Sequence, residues 1–195
     1  MRVILASNNQ GKIKEFKEIL SKFNIEIISL KDIGFNDEII ESGTTFQENA
    51  LIKAKTIFDK YKLPVIADDS GLCVRALNYA PGIYSARYNG MENGSEKNNY
   101  LISQMKDYSD RYAYFACSII LYLETNLYYH FEGKVEGMIN DMEKGDNGFG
   151  FDPIFIPKGY DKTFAEMDNE TKNKISHRGL AVKAMVKYLE NDFNN

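Results

Sequence analysis

Two adjacent carboxylates, Asp68 and Asp69, stand at the end of an apolar run and precede a Ser-Gly pair. Successive side chains of a strand point to opposite faces, so we expect the two acids to have different roles. Strand ends in open α/β sheets commonly bind ligands, and a carboxylate there can hold Mg²⁺ or act as a base. Glu41, in a separate loop, is a candidate second metal ligand. The alternatives are ordinary turn chemistry for the pair and a solvated loop acid for Glu41.

Two lysines occupy positions in predicted helices where a positive charge is unfavourable. Lys12 ends a small polar loop and stands at the start of a predicted helix, where a cation opposes the helix dipole. A phosphate held by the free N–H groups of that helix would remove the conflict, whereas an Asn/Gly turn with a solvated lysine is the alternative. Lys53 falls within the apolar stripe of the next predicted helix. It either snorkels to water or reaches into a ligand site.

The start of the last predicted helix carries Ser176, His177 and Arg178. Ser176 is a good N-cap, while Arg178 in the first turn opposes the dipole. His177 is either a surface residue or part of a site for an anion or a polar ring, and His130 is predicted to pack within a hairpin. The loop 148–153 holds two aromatics and a carboxylate, which can bind a base or form a tight turn. Together these groups predict a nucleoside-triphosphate site assembled from loops.

Hydrophobic periodicity predicts the elements that position these groups. It gives strands at 2–7 and 25–29, an antiparallel pair at 65–69 and 72–77, a hairpin of 112–123 with 127–139, and helices at 11–22, 44–61, 95–107 and 177–190. Thr45 and Glu48 predict a capping box at the start of the second helix. Early alternation of helices and strands followed by a hairpin favours an α/β fold with a mixed sheet and helices packed around it.

Composition and charge narrow the class of protein. The chain has 195 residues and a net charge of −4, which gives no sign of a general nucleic-acid or membrane binder. No apolar run approaches the roughly 18 residues that span a bilayer, and the N-terminus does not resemble a signal peptide. Cys73 and Cys117 lie in apolar stretches and are expected to be buried reduced thiols rather than a disulfide. We therefore predict a cytoplasmic protein.

Six sequence blocks occur in one order along nearly the whole chain. They are SNNQGK at 7–12, ENALIKA at 48–54, ADDSGL at 67–72, APGIYSARY at 80–88, GFGFDPIF at 148–155 and ISHRG at 175–179. Together they closely resemble the inosine triphosphate pyrophosphatase family. The resemblance implies a single domain over residues 1–195. It also implies a long mixed, mostly antiparallel sheet with two lobes flanking a central cleft.

The same resemblance implies an activity. Members of the family hydrolyse noncanonical purine nucleoside triphosphates, such as ITP, dITP and XTP, to the monophosphate and pyrophosphate. It implies dependence on Mg²⁺ and assembly as a homodimer, while the net charge of −4 predicts no nucleic-acid or membrane partner. Two alternatives stay open. One is a different enzyme specificity, for a modified pyrimidine triphosphate or for nucleotides broadly, and the other is a non-catalytic sensor of purine triphosphates.

The resemblance also implies the roles of individual residues. Asp69 would act on the attacking water as the catalytic residue and, with Glu41, hold the metal. Substrate would be bound by Ser7, Asn8, Asn9, Gln10, Gly11, Lys12, Lys53, Ser70, Phe149, Gly150, Phe151, Asp152, Lys172, His177 and Arg178. The residue at position 151 is phenylalanine where the family commonly has Tyr or Trp. It retains the ability to stack and lacks their polar hydrogen.

Overall fold

Six strands form one sheet in the computed structural model, which describes residues 1–23, 25–91 and 93–192. The strands are β1 Arg2–Leu5, β2 Glu26–Ser29, β3 Val65–Val74, β4 Tyr112–Glu124, β5 Leu127–Ile139 and β6 Phe155–Pro157. The main helices are α1 Gln10–Leu20, α2 Phe46–Tyr61, α3 Gly94–Gln104, α4 Asn169–Ile175 and α5 His177–Asp192. Within the described residues, no helix combines the length and apolar character needed to cross a membrane.

The sheet is mixed, as the sequence predicts. Its strand order is β2-β1-β3-β4-β5-β6, with β1 parallel to both β2 and β3 and with β5 antiparallel to β6. The predicted hairpin is confirmed, and the two residues between its strands include Asn126 at a φ of 63°. Four of the five main helices lie close to their predicted bounds, whereas α4 and the short strand β6 were not predicted.

The predicted antiparallel pair at 65–69 and 72–77 is wrong. Residues 65–74 form the single strand β3, and residues 75–77 form a short 3₁₀ helix. Gly71 makes no turn here; its missing side chain instead admits a neighbouring segment. A Cβ at Gly71 would lie 2.3 Å from the carbonyl oxygen of Gly82 and 2.4 Å from Oγ of Ser85. The glycine therefore serves close packing of the strand rather than chain reversal.

The start of α2 follows the sequence prediction in part. Thr45 is the N-cap, and its hydroxyl oxygen accepts a hydrogen bond from the Glu48 backbone N–H at 3.1 Å. The Glu48 carboxylate accepts from the backbone N–H of Thr44 rather than from that of Thr45. The capping interaction is therefore present, but its reciprocal half is displaced by one residue.

The chain divides into two compact units, each with its own core. The first comprises Met1–Asp69, Cys117–Gly133 and the chain from Gly179, and the second comprises Ser70–Ala116 and Lys134–Arg178. In the first, residues such as Phe16, Ile57 and Met185 are fully buried, and in the second Leu101, Phe155 and Phe164 are. Cys73 and Cys117 are buried as expected. The single domain over residues 1–195 and the two lobes flanking a cleft stay predictions.

Candidate active site

The polar loop after β1 caps the N-terminus of α1. Asn9 is the N-cap, and its Oδ1 accepts from the Lys12 backbone N–H at 3.1 Å. The Ser7 hydroxyl oxygen accepts from the Asn9 backbone N–H at 3.2 Å, while Gln10 donates from Nε2 to the carbonyl oxygen of Asn8 at 3.3 Å. The loop therefore satisfies part of its own backbone, and the N–H of Lys12 is already bonded. What Lys12 brings to a ligand is its ammonium group.

Lys12 and the first carboxylate of β3 form an ion pair within the first unit. Lys12 Nζ lies 3.0 Å from Oδ2 of Asp68, whose side chain is fully buried. The thiol of Cys117 lies 3.9 Å from the same oxygen. Because a buried carboxylate needs a cation partner, Asp68 fixes the place of the Lys12 ammonium at the start of α1.

The second carboxylate has a separate set of partners. Asn49 donates from Nδ2 to Oδ2 of Asp69 at 3.1 Å, and Lys53 Nζ lies 3.6 Å from Oδ1. Burial raises the pKa of Asp69, with a smaller raising effect from Glu41, while Lys53 and Lys12 oppose the increase. The two adjacent acids thus have different partners, as strand alternation requires. A carboxyl whose pKa is raised is suited to accept a proton.

Lys53 does not snorkel to open water. Its ammonium lies 3.3 Å from Oε2 of Glu41 in addition to its contact with Asp69. We call the set Lys12, Glu41, Asn49, Lys53, Asp68 and Asp69 the charged cluster. It belongs entirely to the first unit.

The donor set of the charged cluster fits Mg²⁺. Glu41 and Asp69 turn carboxylate oxygens toward one cation position, which the Lys53 ammonium now contacts. Over the residues that the structure describes, no group of three or more His, Cys, Asp or Glu side chains is arranged to hold a metal. Two carboxylates are nevertheless sufficient for Mg²⁺, which usually binds one or two and completes its octahedron with waters and substrate phosphates.

Replacing Asp68 with asparagine tests whether this carboxylate positions Lys12. We expect the Kd for inorganic triphosphate, measured by calorimetry, to rise about tenfold, since a hydrogen bond to a charged group contributes about 1.5–3 kcal/mol. Lys12→Ala should weaken binding at least as much. Adding Asp68→Asn to Lys12→Ala should then weaken it no further, because the two residues act as one unit. Additive losses would show that Asp68 acts independently of Lys12.

The loop between β5 and β6 is held in shape by glycines and one carboxylate. Gly148 and Gly150 have φ angles of 74° and 62°. The Phe149 backbone N–H donates to Oδ2 of Asp152 at 2.8 Å, and a Cβ at Gly148 would lie 2.1 Å from that oxygen. Only glycine combines this conformation with this close approach.

Two buried cations lie near the Phe149 ring. Lys172 Nζ is 5.1 Å from the ring centre and 2.6 Å from Oδ2 of Asp152. The Arg178 guanidinium carbon is 5.7 Å from the same ring, and Arg178 Nη2 donates to Oγ of Ser70 at 2.8 Å. These contacts combine an aromatic face with fixed hydrogen-bond donors, which are the features that bind a heteroaromatic ring.

His177 is buried, so the surface alternative is wrong. Its side chain stacks on Phe115 with ring centres 4.6 Å apart and planes inclined by 8°. Phe151 is also buried, and its ring makes an edge contact with Tyr88 within the core of the second unit. We call the set Ser70, Phe149, Asp152, Lys172, His177 and Arg178 the aromatic cluster. It lies entirely within the second unit.

Sequence reasoning missed several residues that support these clusters. Phe115 gave no signal, because its partner His177 is distant in sequence and lies on another element. Ser85 was quoted only as part of a motif, yet its hydroxyl oxygen accepts from the Leu72 backbone N–H at 2.9 Å. His130, a residue of β5, packs within the hairpin as expected, and its Nε2 lies 3.0 Å from Oγ of Ser118 on β4.

Comparison with known proteins gives consistent matches over nearly the full chain. A model of the Ham1 family matches residues 3–188. A dITP/XTP pyrophosphatase of Clostridium tetani is 45% identical over 192 residues, which cover 96% of each protein. One of Bacillus subtilis is 45% identical over 190 residues, covering 96% of this chain and 96% of that protein.

Solved structures agree with these sequence matches. The Ham1 protein of Staphylococcus aureus superposes with a TM-score of 0.87 at 39% identity, covering 98% of this chain and 100% of that one. A nucleoside-triphosphatase / dITP/XTP pyrophosphatase of Mycobacterium abscessus gives a TM-score of 0.77 at 38% identity, covering 95% of this chain and 98% of that one. The expected fold is confirmed, and the names of these relatives agree with the expected enzyme class, a nucleoside-triphosphate pyrophosphatase.

Proposed function

This chain belongs to the Ham1 family, and we propose that it hydrolyses noncanonical purine nucleoside triphosphates to the monophosphate and pyrophosphate. The proposed substrates are dITP, XTP and ITP, the first two being those in the names of its relatives. The observation that carries the proposal is the charged cluster. There Asp68 holds one lysine ammonium in place, while the raised pKa of Asp69 leaves that second carboxyl ready to take a proton.

The charged cluster is assigned to the triphosphate. Asp69 takes a proton from a water whose oxygen bonds to the α-phosphorus. The bond from that phosphorus to the oxygen bridging the α- and β-phosphates breaks, and pyrophosphate leaves with the electron pair. Lys12 and Lys53 offset the charge that develops on the leaving group. Mg²⁺, held by Glu41 and Asp69 with the substrate, would supply further neutralisation of phosphate charge.

The aromatic cluster is assigned to the purine. Phe149 offers a ring face, and Lys172 and Arg178 offer only hydrogen-bond donors. Xanthine and hypoxanthine present exocyclic carbonyl oxygens that accept such bonds. Adenine presents an amino donor at C6 and guanine presents one at C2, so each would leave polar groups unmatched. A mismatch of this kind can change selectivity by several orders of magnitude.

A substrate panel tests the proposal. Purified protein is incubated with Mg²⁺ and with ITP, dITP, XTP, ATP, GTP or dTTP, and pyrophosphate and orthophosphate are measured separately. Pyrophosphate from the three noncanonical nucleotides, with little from ATP or GTP, is the expected result. Equal release from all six would favour a broad nucleotide pyrophosphatase, release from dTTP alone a pyrimidine enzyme, and binding without hydrolysis a sensor.

Glu41→Gln tests the metal assignment. Removing one of two anionic ligands should raise the Mg²⁺ concentration for half-maximal activity about tenfold or more, in line with the losses seen when a metal site is disturbed. Glu38→Gln is the matched control, because Glu38 is an exposed acid three residues earlier and should leave the Mg²⁺ titration unchanged. Equal shifts in both variants would show that the loop acts through its general charge.

Two further properties are proposed. Assembly as a homodimer rests on the family resemblance alone, and a cytoplasmic location rests on the two buried, reduced cysteines. Size-exclusion chromatography with light scattering would measure the first, and a mass near 22.3 kDa, that of one chain, would contradict it. Fractionation of cells expressing the protein would measure the second.

A further inference from the structure

Asn98 of α3 is buried and contacts the loop that carries Phe149. Its side-chain amide donates from Nδ2 to the carbonyl oxygen of Gly150 at 3.1 Å. The same nitrogen donates to Oε1 of Glu143 at 2.6 Å. Asn98 is 1% exposed, so its own side chain has little access to water. The helix thus holds a backbone carbonyl next to Phe149 by one buried amide.

Glu143 fixes the orientation of that amide. Its second oxygen, Oε2, accepts from the Ser95 hydroxyl at 2.7 Å, so both carboxylate oxygens are bonded to the same helix face. Both partners of Asn98 Nδ2 are acceptors, so only the amino side of the amide can face them. Oδ1 is left buried without a hydrogen-bond partner among the residues that the structure describes. A buried acceptor left unbonded costs stability, which indicates that the donating side is what this position requires.

The carbonyl that Asn98 binds belongs to a glycine-containing loop whose backbone is not fixed by packing alone. Gly150 has a φ of 62°, and an added Cβ there would meet no atom within 4 Å, so packing alone does not fix it. Asp152 fixes the Phe149 N–H from inside the loop. Asn98 fixes the Gly150 carbonyl from outside, where the first turn of α3 at Gly94 also lies close. The two bonds hold the 148–149 and 150–151 peptide groups, which flank the Phe149–Gly150 pair.

We propose that Asn98 is a positioning residue for base selection. It acts through Gly150 to set the Phe149 ring against the buried donors of the aromatic cluster, and Glu143 keeps its amide in the donating orientation. The proposal rests on the proposed function and adds a determinant of its specificity. Asn98 itself does not touch the substrate.

A swapped pair separates this role from simple stability. N98D places a carboxylate against Glu143 and the Gly150 carbonyl, so the single variant should lose both thermal stability and activity. In N98D with E143Q, the amide introduced at position 143 can donate to the new carboxylate and still accept from Ser95. The contact between positions 98 and 143 is restored, but no donor faces the Gly150 carbonyl.

The readouts are the melting temperature and the ratio of kcat/KM for XTP to kcat/KM for GTP. We expect the swapped pair to recover its melting temperature while the ratio falls about tenfold, mainly through a higher KM for XTP. E143Q alone is the conservative control and should keep the wild-type ratio, because the glutamine oxygen still accepts from Asn98. A swapped pair with both wild-type stability and the wild-type ratio would overturn the proposal.

A second variant covers the case in which the swapped pair remains unstable. N98A removes the donor to Gly150 without adding charge, and its ratio of kcat/KM for XTP to kcat/KM for GTP is measured well below its melting temperature. A ratio lowered as above supports the proposal, and a wild-type ratio overturns it. If the wild-type protein releases no pyrophosphate from XTP, both the proposed function and this inference are overturned. If the wild type is active and the variants at position 98 keep its ratio for XTP over GTP, only the inference is overturned.

Discussion

Asp69→Asn is expected to lower kcat by about 10²- to 10⁴-fold, the usual range for loss of a general base. The amide keeps the shape of the carboxylate and can still accept from Asn49, but it cannot take a proton from water. Steady-state assays with XTP, together with thermal melting, check this result. Asp107→Asn, at an exposed acid, is the matched control and should remain at the wild-type rate. A near-wild-type rate for Asp69→Asn would remove the residue from the reaction.

The raised pKa of Asp69 adds a pH signature to this prediction. In the wild type, kcat/KM should rise with pH through a limb above 3.8, the ordinary pKa of aspartate. The free energy of unfolding should instead fall as pH rises. The folded protein binds this proton more tightly than the unfolded chain, so the contribution of Asp69 to the free energy of unfolding falls as pH rises from 3.8 through the raised pKa. The difference in stability between wild type and Asp69→Asn should show this slope, and parallel curves would contradict it.

Lys172→Met is expected to destabilise the protein by about 3–5 kcal/mol, the usual cost of removing one partner of a buried ion pair. Lys172 and Asp152 are each 4% exposed at the side chain and 2.6 Å apart, so the remaining carboxylate would lose its ammonium in a site with little water. Loss of the cation beside Phe149 should also raise the KM for XTP. Urea denaturation and steady-state kinetics measure the two effects.

Asp152→Asn combined with Lys172→Met separates stability from binding. The double variant carries no unpaired charge, and the asparagine oxygen can still accept from the Phe149 N–H, so much of the stability should return. The KM should remain high because the donor is still missing. If the double variant were as unstable as Lys172→Met alone, the loss would come from packing of the lysine stem and not from the charge.

Much of the scaffold could be predicted because its signals are local. The apolar stripe of α2 and its N-cap Thr45 identify that helix within a single segment. The course of β3 could not be predicted in this way. Asp, Ser and Gly favour turns locally, but the Leu72 N–H is bonded to Ser85, 13 residues away, and that tertiary contact keeps the strand extended.

The sequence indicated which residue types belong to the candidate site, but not which of these residues contact each other. Placement of Lys53 on an apolar face predicted a lysine that either snorkels to water or reaches into a ligand site, since periodicity shows where a charge is out of place. Its pairing with Glu41, and that of Lys12 with Asp68, depend on chain segments brought together only by folding. Asn98 gave no signal, because a single polar residue on a helix is ordinary until its burial is known.

The space that Gly71 leaves for the Gly82 carbonyl and the Ser85 hydroxyl has a consequence for recombination among relatives. These atoms fill the volume that any other side chain at position 71 would claim. A crossover that separated the glycine from the segment it accommodates would join a strand to a loop shaped by a different parent. Chimeric proteins should therefore tolerate exchange best where the stretch from 71 to 85 is inherited as one block.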